Sequence, residues 1–110
     1  MIYGYVTDMG DPKPIVYFIR DGLGHIKIGI ARDLGKRIKA LQTANPMKLE
    51  YFYGLKVESW FVAQCVEKEL HELFREQRLQ GEWFEEEPVL RYLRRETVET
   101  ENYIFEGVKW

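Results

Sequence analysis

The stretch VYFIRDGLGHIKIG, residues 16–29, decides the fold, because it reads as two short strands joined by a glycine-rich turn. Residues rich in β-branched and aromatic side chains fill both halves, at 15–20 and 25–30. The DGLG between them supplies residues that tolerate positive φ, as hairpin loops require. The stretch therefore predicts a β-hairpin.

The apolar pattern of this hairpin also predicts its register. Placing Phe18 opposite Ile28 gathers the larger apolar side chains on one face of the sheet. The same register sets Tyr17 opposite Gly29, which leaves room above the sheet, and diagonal to Lys27. We therefore expect a phenol and an ammonium side by side, although a half-buried strand tyrosine and a lysine that reaches water are the ordinary alternative.

Periodicity and capping residues predict the elements that follow the hairpin. In chain order these are a helix capped by Asp33 that ends near Thr43, a strand at 48–57, a helix capped by Ser59 that ends near Arg78, an extended piece at 82–84, a helix with Pro88 in its first turn, and a strand within the tail 101–110. The apolar stripe of the long helix comprises Val62, Ala63, Val66, Leu70, Leu73 and Phe74. This order predicts a small α/β fold with a mainly antiparallel three-stranded sheet, flanking helices, a C-terminal helix and an extra strand.

The composition is typical of one packed domain. The chain has 110 residues, 45% of them hydrophobic and 31% charged, so we expect a single domain over 1–110, with a core at 15–84 and an extension at 85–110. Long apolar runs and a secretory pattern are absent from the sequence, so we expect a cytoplasmic protein that does not enter membranes. Cys65 is the single cysteine, which excludes an internal disulfide.

Charge is unevenly distributed along the chain, although the net charge is only −2. The segment 27–39 contains one acid, Asp33, and five basic residues: Lys27, Arg32, Lys36, Arg37 and Lys39. The segment 82–87 reads EWFEEE. A local basic surface suited to nucleic acid is therefore expected on a slightly acidic protein.

The two predicted helices contribute further polar groups. On a helical wheel Arg37 lies at the border of the buried stripe of its helix, so it should point partly toward the sheet. Glu67 and His71 lie one turn apart on the long helix and project together. Alone, such a pair is more typical of a solvated helix surface than of a metal site.

Four segments taken in order, VYFI, IKIGIARDLGKRIKALQTANP, VEKELHELF and GEWF, resemble the GIY-YIG nuclease superfamily across about 15–84. The resemblance is to a small phage and bacterial branch with KIG and EWF signatures. It aligns the first conserved tyrosine of that family with Tyr17, the helix arginine with Arg37 and the metal-binding glutamate with Glu67.

Two further positions, His71 and Glu82, match residues typical of that branch. The sequence departs from the superfamily where Lys27 replaces the second tyrosine, and where RLQGEWF stands in place of an asparagine that often follows the long helix. A lysine binds phosphate as a point charge but does not reproduce the hydrogen bonding of a phenol.

The resemblance implies a metal-dependent endonuclease that hydrolyses DNA phosphodiester bonds by in-line attack of water. It implies Mg²⁺, or Mn²⁺, held by Glu67, with Arg37 on the phosphate and Lys27 assisting it. Tyr17 activates or orients the water in this scheme, and His71 is the competing base. The substrate-binding residues implied are Arg32, Lys36 and Glu82.

Two alternatives stay open at this point. In the first, a nuclease-like fold binds nucleic acid or protein without cutting it; the acidic net charge and the missing second tyrosine favour this alternative. In the second, these residues have a purely structural role. The expected partner is DNA, whether duplex, branched or single-stranded. A homo-oligomer or a protein partner is also open.

Overall fold

The computed structural model describes residues 13–95 and 97–106. In chain order these residues form β1 (Ile15–Arg20), β2 (His25–Ala31), α1 (Leu34–Thr43), β3 (Glu50–Lys56), α2 (Trp60–Leu73), a 3₁₀ turn (Arg75–Gln77), β4 (Arg78–Gln80), β5 (Trp83–Glu85), α3 (Glu86–Leu93), β6 (Thr97–Glu99) and β7 (Ile104–Glu106). Asp33 and Ser59 cap α1 and α2 as predicted, each accepting a backbone N–H with its side-chain oxygen. Within the described ranges, no helix is long and apolar enough to cross a membrane.

The main sheet has five antiparallel strands in the order β3-β1-β2-β5-β4. The predicted hairpin register is confirmed, with Phe18 opposite Ile28 and Tyr17 opposite Gly29. The α/β class is confirmed, but the prediction of three strands is wrong. β4 and β5 each span only three residues, which is too short for alternation to mark them, and their pairing is a tertiary effect.

The two faces of the sheet bury separate clusters. On one face, α2, α3, β6 and β7 cover Phe18, Ile28 and their neighbours. On the other, α1 covers Tyr17 and its neighbours through the partly buried Leu34, Ile38 and Leu41. The apolar face predicted for the hairpin is therefore buried, and so is the face that carries Tyr17.

The long helix is shorter than predicted. α2 ends at Leu73, and the chain then makes the 3₁₀ turn and enters β4, so the prediction of a helix to Arg78 is wrong. Leu73, expected in the buried stripe, is 44% exposed. The reversal at Gly81, with φ of +57°, lets β4 pair with β5, and that pairing outweighs the helix propensity of this segment.

The extension after β5 packs into the core. The predicted third helix is present as α3, with Pro88 in its first turn. β6 and β7 form a separate two-stranded sheet, in which Val98 and Phe105 are fully buried in the cluster that contains Phe18. The expected tail strand is thus present at Ile104–Glu106; residues 101–103 are not part of a strand, and 107–110 lie outside the described residues.

One edge of β2 is only partly covered, and this positions the candidate site. β5 pairs with β2 at residues His25, Ile26 and Lys27 only. At the next residue, the Ile28 N–H donates to the carbonyl of Glu82 at 3.0 Å, and His71 from α2 donates Nε2–H to the Ile28 carbonyl at 2.9 Å. Side chains from β1, β5 and α2 can therefore meet at this edge.

Candidate functional site

Tyr17 extends from β1 across the neighbouring strand at Gly29. A Cβ at Gly29 would lie 2.5 Å from Cζ of Tyr17, closer than real side chains approach, so this position needs glycine for the close approach of the ring. The ring is nearly fully buried, with 1% of its surface exposed. The phenol oxygen is thus brought over β2, toward the edge where α2 arrives.

Burial and two carboxylates keep the Tyr17 phenol protonated. Its pKa is raised to about 12, mainly by burial; the charges of Glu82 and Glu67 contribute to the rise, and Arg37 opposes it. These three charged side chains are therefore near enough to the phenol to influence its protonation. At neutral pH Tyr17 is therefore a hydrogen-bond donor.

Glu67, on α2, is the most perturbed acid of the group. Its pKa is raised to about 7, mainly by burial; the Glu82 carboxyl contributes to the rise through its charge and through hydrogen bonding, and Lys27 and Arg37 oppose it. Its Oε2 is buried and has no hydrogen-bond partner among the described residues. A proton shared with Glu82 or a bound cation would relieve this arrangement, since a buried carboxylate oxygen without a partner is unfavourable.

Lys27 lies inside this group. Its Nζ is 2.9 Å from Oε1 of Glu82 and 5.8 Å from the ring centroid of Trp83, and its side chain is 13% exposed. The ordinary alternative, in which the lysine reaches water, is not what the structure shows. The ammonium offsets part of the negative charge of the two carboxylates.

His71 lies on the same flank of α2 but is held by the backbone. Its Nε2–H donates to the carbonyl of Ile28 at 2.9 Å, and its ring packs against Phe84 with centroids 5.0 Å apart. In this arrangement a neutral ring has only Nδ1 left as a proton acceptor. The sequence placed His71 near Glu67, and the structure adds that the ring is fixed in orientation.

Of the basic residues on and before α1, Arg37 lies near Tyr17 and Glu67, whereas Arg32 and Lys36 lie around them. Arg37 is exposed on α1 yet acts on both Tyr17 and Glu67. Arg32 stacks over the ring of Trp60, 4.2 Å from its centroid. Lys36 lies exposed in the first turn of α1, where its backbone N–H donates to Asp33.

Five of the predicted site residues are therefore brought together: Tyr17, Lys27, Arg37, Glu67 and Glu82. Sequence reasoning missed that Glu82 lies beside Glu67, because β5 reaches the site only through strand pairing. It also missed Trp60. The available signal was spacing, since Trp60 and Glu67 are seven residues apart on α2 and share a helix face.

The two carboxylates fit a small divalent cation. Mg²⁺ prefers oxygen ligands and is usually held by one or two carboxylates, with waters and substrate phosphates completing its shell. Glu67 offers the buried, unpartnered oxygen described above, and Glu82 lies next to it. No cluster of three or more His, Cys, Asp or Glu side chains with metal-binding geometry occurs in the described part of the chain, so a larger all-protein metal cage is not formed there.

Comparison with known families assigns the chain. The model of the T5orf172 domain matches residues 14–101, most of the chain and well past residue 84, where the motifs quoted above end. The chain belongs to the T5orf172 domain family. This family is associated with nuclease-like functions. No curated protein and no solved structure matches the chain.

The identification with the GIY-YIG superfamily is therefore wrong, because the matching T5orf172 family is distinct from it. The quoted motifs are short, and Lys27 stands where the second signature tyrosine of that superfamily would be. The roles of the five clustered residues in this T5orf172 domain therefore depend on their own geometry and chemistry.

Proposed function

We propose that this T5orf172 domain is a metal-dependent endonuclease that hydrolyses DNA phosphodiester bonds. One observation carries the proposal. A buried carboxylate oxygen of Glu67 without a hydrogen-bond partner among the described residues lies in a group that also contains Glu82, Lys27, Arg37 and Tyr17. Phosphodiester hydrolysis needs carboxylates that hold a metal ion and, beside them, positively charged side chains that hold the phosphate.

Glu67 and Glu82 would hold the cation, Mg²⁺ or Mn²⁺. When bound there, the ion supplies Lewis-acid charge to a phosphate oxygen and lowers the pKa of water. The raised pKa of Glu67 supports this role, because burial and its acidic neighbour make an added positive charge favourable. In this proposal Glu82 would be a second carboxylate ligand, whereas the sequence-based expectation gave it a role in substrate binding.

Two positively charged side chains, Arg37 and Lys27, would bind the scissile phosphate. Arg37 presents a planar guanidinium that pairs with two phosphate oxygens, and its exposure on α1 leaves it accessible to a polymer. Lys27 is more enclosed and is paired with Glu82, so it would balance the charge of the acids and assist at the phosphate. Both would offset negative charge that grows in the transition state.

Tyr17 would orient the attacking water or a phosphate oxygen by donating a hydrogen bond. Its pKa of about 12 makes it a poor base at neutral pH. The candidate bases are Tyr17 and His71, so His71 would act as the base in this proposal. Its Nε2–H donates to the carbonyl of Ile28, and its Nδ1 would accept the proton of the attacking water. The Ile28 contact would fix the ring orientation.

A second function, a nucleic-acid-binding module that does not cut, is favoured by one observation. The Lys27 ammonium already pairs with Glu82 at 2.9 Å and so supplies a positive charge where a metal ion would otherwise be required. In that case Arg37, Lys36 and Arg32 would bind the DNA backbone and no hydrolysis would follow.

Cleavage assays with matched variants separate the two functions. Purified protein is incubated with supercoiled plasmid and with labelled oligonucleotides in Mg²⁺, Mn²⁺ or EDTA. The endonuclease proposal expects metal-dependent nicking that Arg37→Ala abolishes and that Lys39→Ala, an exposed basic change on the same helix, leaves within about threefold. DNA binding without cleavage in either metal would favour the binding module instead.

A further inference from the structure

A cation–aromatic stack of Arg32 and Trp60 lies beside the proposed site, and none of the roles above uses Trp60. The guanidinium of Arg32 lies 4.2 Å from the ring centroid of Trp60. Arg32 is exposed just after β2, and Trp60 is the partly exposed first residue of α2. Such a pair is a flat, positively charged surface, since the guanidinium plane and the indole are both extended π systems.

The position of the stack relates it to Glu67. Trp60 and Glu67 are seven residues apart on α2, so they lie on the same face of the helix, about 10 Å apart along its axis. Arg32 follows Gly29, over which the Tyr17 ring lies, by three residues. The stack therefore borders the site at the N-terminal end of α2.

The surrounding charge favours a nucleic-acid strand. Lys36 and Arg37 are exposed on α1, which begins two residues after Arg32. A strand held by these cations through its phosphates would pass the stack on its way to the Glu67 group. The faces of paired bases are covered by their neighbours within a duplex, whereas an unpaired base exposes its face to stacking.

We propose that the Arg32–Trp60 stack receives an unpaired nucleobase next to the scissile phosphate, so the preferred substrate is DNA with a single-stranded segment. The inference rests on the proposed function in that DNA is the ligand. Stacking is tolerant of base identity because every base has a π face, so the site selects for strand structure and not for sequence.

Fluorescence anisotropy tests the stack without any cleavage. Labelled blunt duplex and the same duplex with a single-stranded extension are titrated with protein in EDTA. Wild-type protein is expected to bind the extended DNA more tightly. Trp60→Leu should weaken that binding about tenfold and blunt-duplex binding less than twofold, because only the stacked base is lost. Trp60→Phe should restore most of the preference.

Two variants control for structural damage. Phe61→Leu changes the adjacent aromatic residue, which is 69% exposed and lies outside the stack, and should leave the preference unchanged. Arg32→Gln changes an exposed residue and should reduce the preference even if Trp60→Leu does not fold. Equal losses on both DNAs, or no loss from either Trp60→Leu or Arg32→Gln, would overturn the inference.

Cleavage measured on the same proteins distinguishes the two proposals. Metal-dependent nicking by wild-type protein, with no binding preference for extended DNA, would overturn the stacking site and leave the endonuclease proposal intact. A preference that depends on Trp60, without cleavage in any metal, would overturn the endonuclease proposal and support the stacking site.

Discussion

Nζ of Lys27 lies 2.9 Å from Oε1 of Glu82, with 13% of the lysine side chain exposed. This pair brings a positive charge to the edge of β2, beside the carboxyl of Glu67, whose pKa it lowers against the larger effects of burial and of Glu82. Lys27 is thus the charge that permits two carboxylates to lie together in a partly buried place.

Removing that charge should raise the pKa of Glu67. Lys27→Met keeps much of the length and apolar stem of the side chain and deletes the ammonium. We expect the pKa of Glu67 to rise above its wild-type value of about 7, because the remaining neighbour of largest effect is the Glu82 carboxylate. Carboxyl ¹³C NMR titration measures this directly. Lys39→Met, on the exposed surface of α1, is the control, and an unchanged Glu67 titration in Lys27→Met would refute the charge arrangement described above.

Stability should depend on pH through Glu67. Its folded-state pKa of about 7 lies above the ordinary value of 4.5, so the folded state binds the proton more tightly than the unfolded state. The contribution of Glu67 to the free energy of unfolding therefore falls as pH rises from about 4.5 to about 7. Glu67→Gln removes this cost, and we expect it to stabilise the protein by about 1 kcal/mol at pH 8 and very little near pH 5.

Glu69 on the same helix provides a control of opposite sign. Burial would raise its pKa, but hydrogen bonds from Asn102 and Thr100 outweigh this and lower it. Its contribution to stability is present above the unfolded-state pKa and is lost as pH falls through the folded-state value. Glu69→Gln should therefore destabilise the protein more at pH 8 than at low pH in thermal unfolding. The account is in error if Glu67→Gln and Glu69→Gln respond to pH with the same sign.

The contact between Tyr17 and Gly29 should make position 29 intolerant of a side chain. Gly29→Ala would place Cβ 2.5 Å from Cζ of Tyr17, and the buried ring has little room to move. We expect a loss of about 1–3 kcal/mol in the free energy of unfolding, measured by urea denaturation. At Gly35 on α1 a Cβ would meet only Asp33 Oδ1 at 3.6 Å, so Gly35→Ala should stabilise by about 0.5–1 kcal/mol. Equal effects of the two changes would show that the ring does not occupy the space above Gly29.

The sequence was most informative where side-chain pattern and local chemistry agree. The register of β1 and β2 followed from alternation between Phe18 and Ile28, and the N-caps of α1 and α2 followed from Asp33 and Ser59. Both depend on interactions within a few residues or across one hairpin, which a pattern can specify.

Tertiary pairing explains what the sequence did not reveal. The predicted helix ran on to Arg78, through the 3₁₀ turn, because the pairing of Arg78 with Phe84 has no signature in either short segment. The pairing of β5 with β2 brings Glu82 next to Glu67, and this proximity likewise has no signature in the sequence. The resemblance to the GIY-YIG superfamily was misleading for a related reason. It depended on four short motifs, whereas the T5orf172 family model matches the whole span of 14–101.

The most direct measurement of the central claim is single-turnover cleavage of labelled DNA by wild-type protein and Glu67→Gln, with Mn²⁺ binding followed in parallel by calorimetry. Glu72→Gln, an exposed change on the same helix, is the control. If Glu67 is the metal-holding carboxylate of an endonuclease, wild-type protein and Glu72→Gln bind Mn²⁺ and cut, while Glu67→Gln loses both by about a hundredfold or more. Cleavage by Glu67→Gln at the wild-type rate, or DNA binding by wild-type protein with neither Mn²⁺ binding nor cleavage, would contradict it.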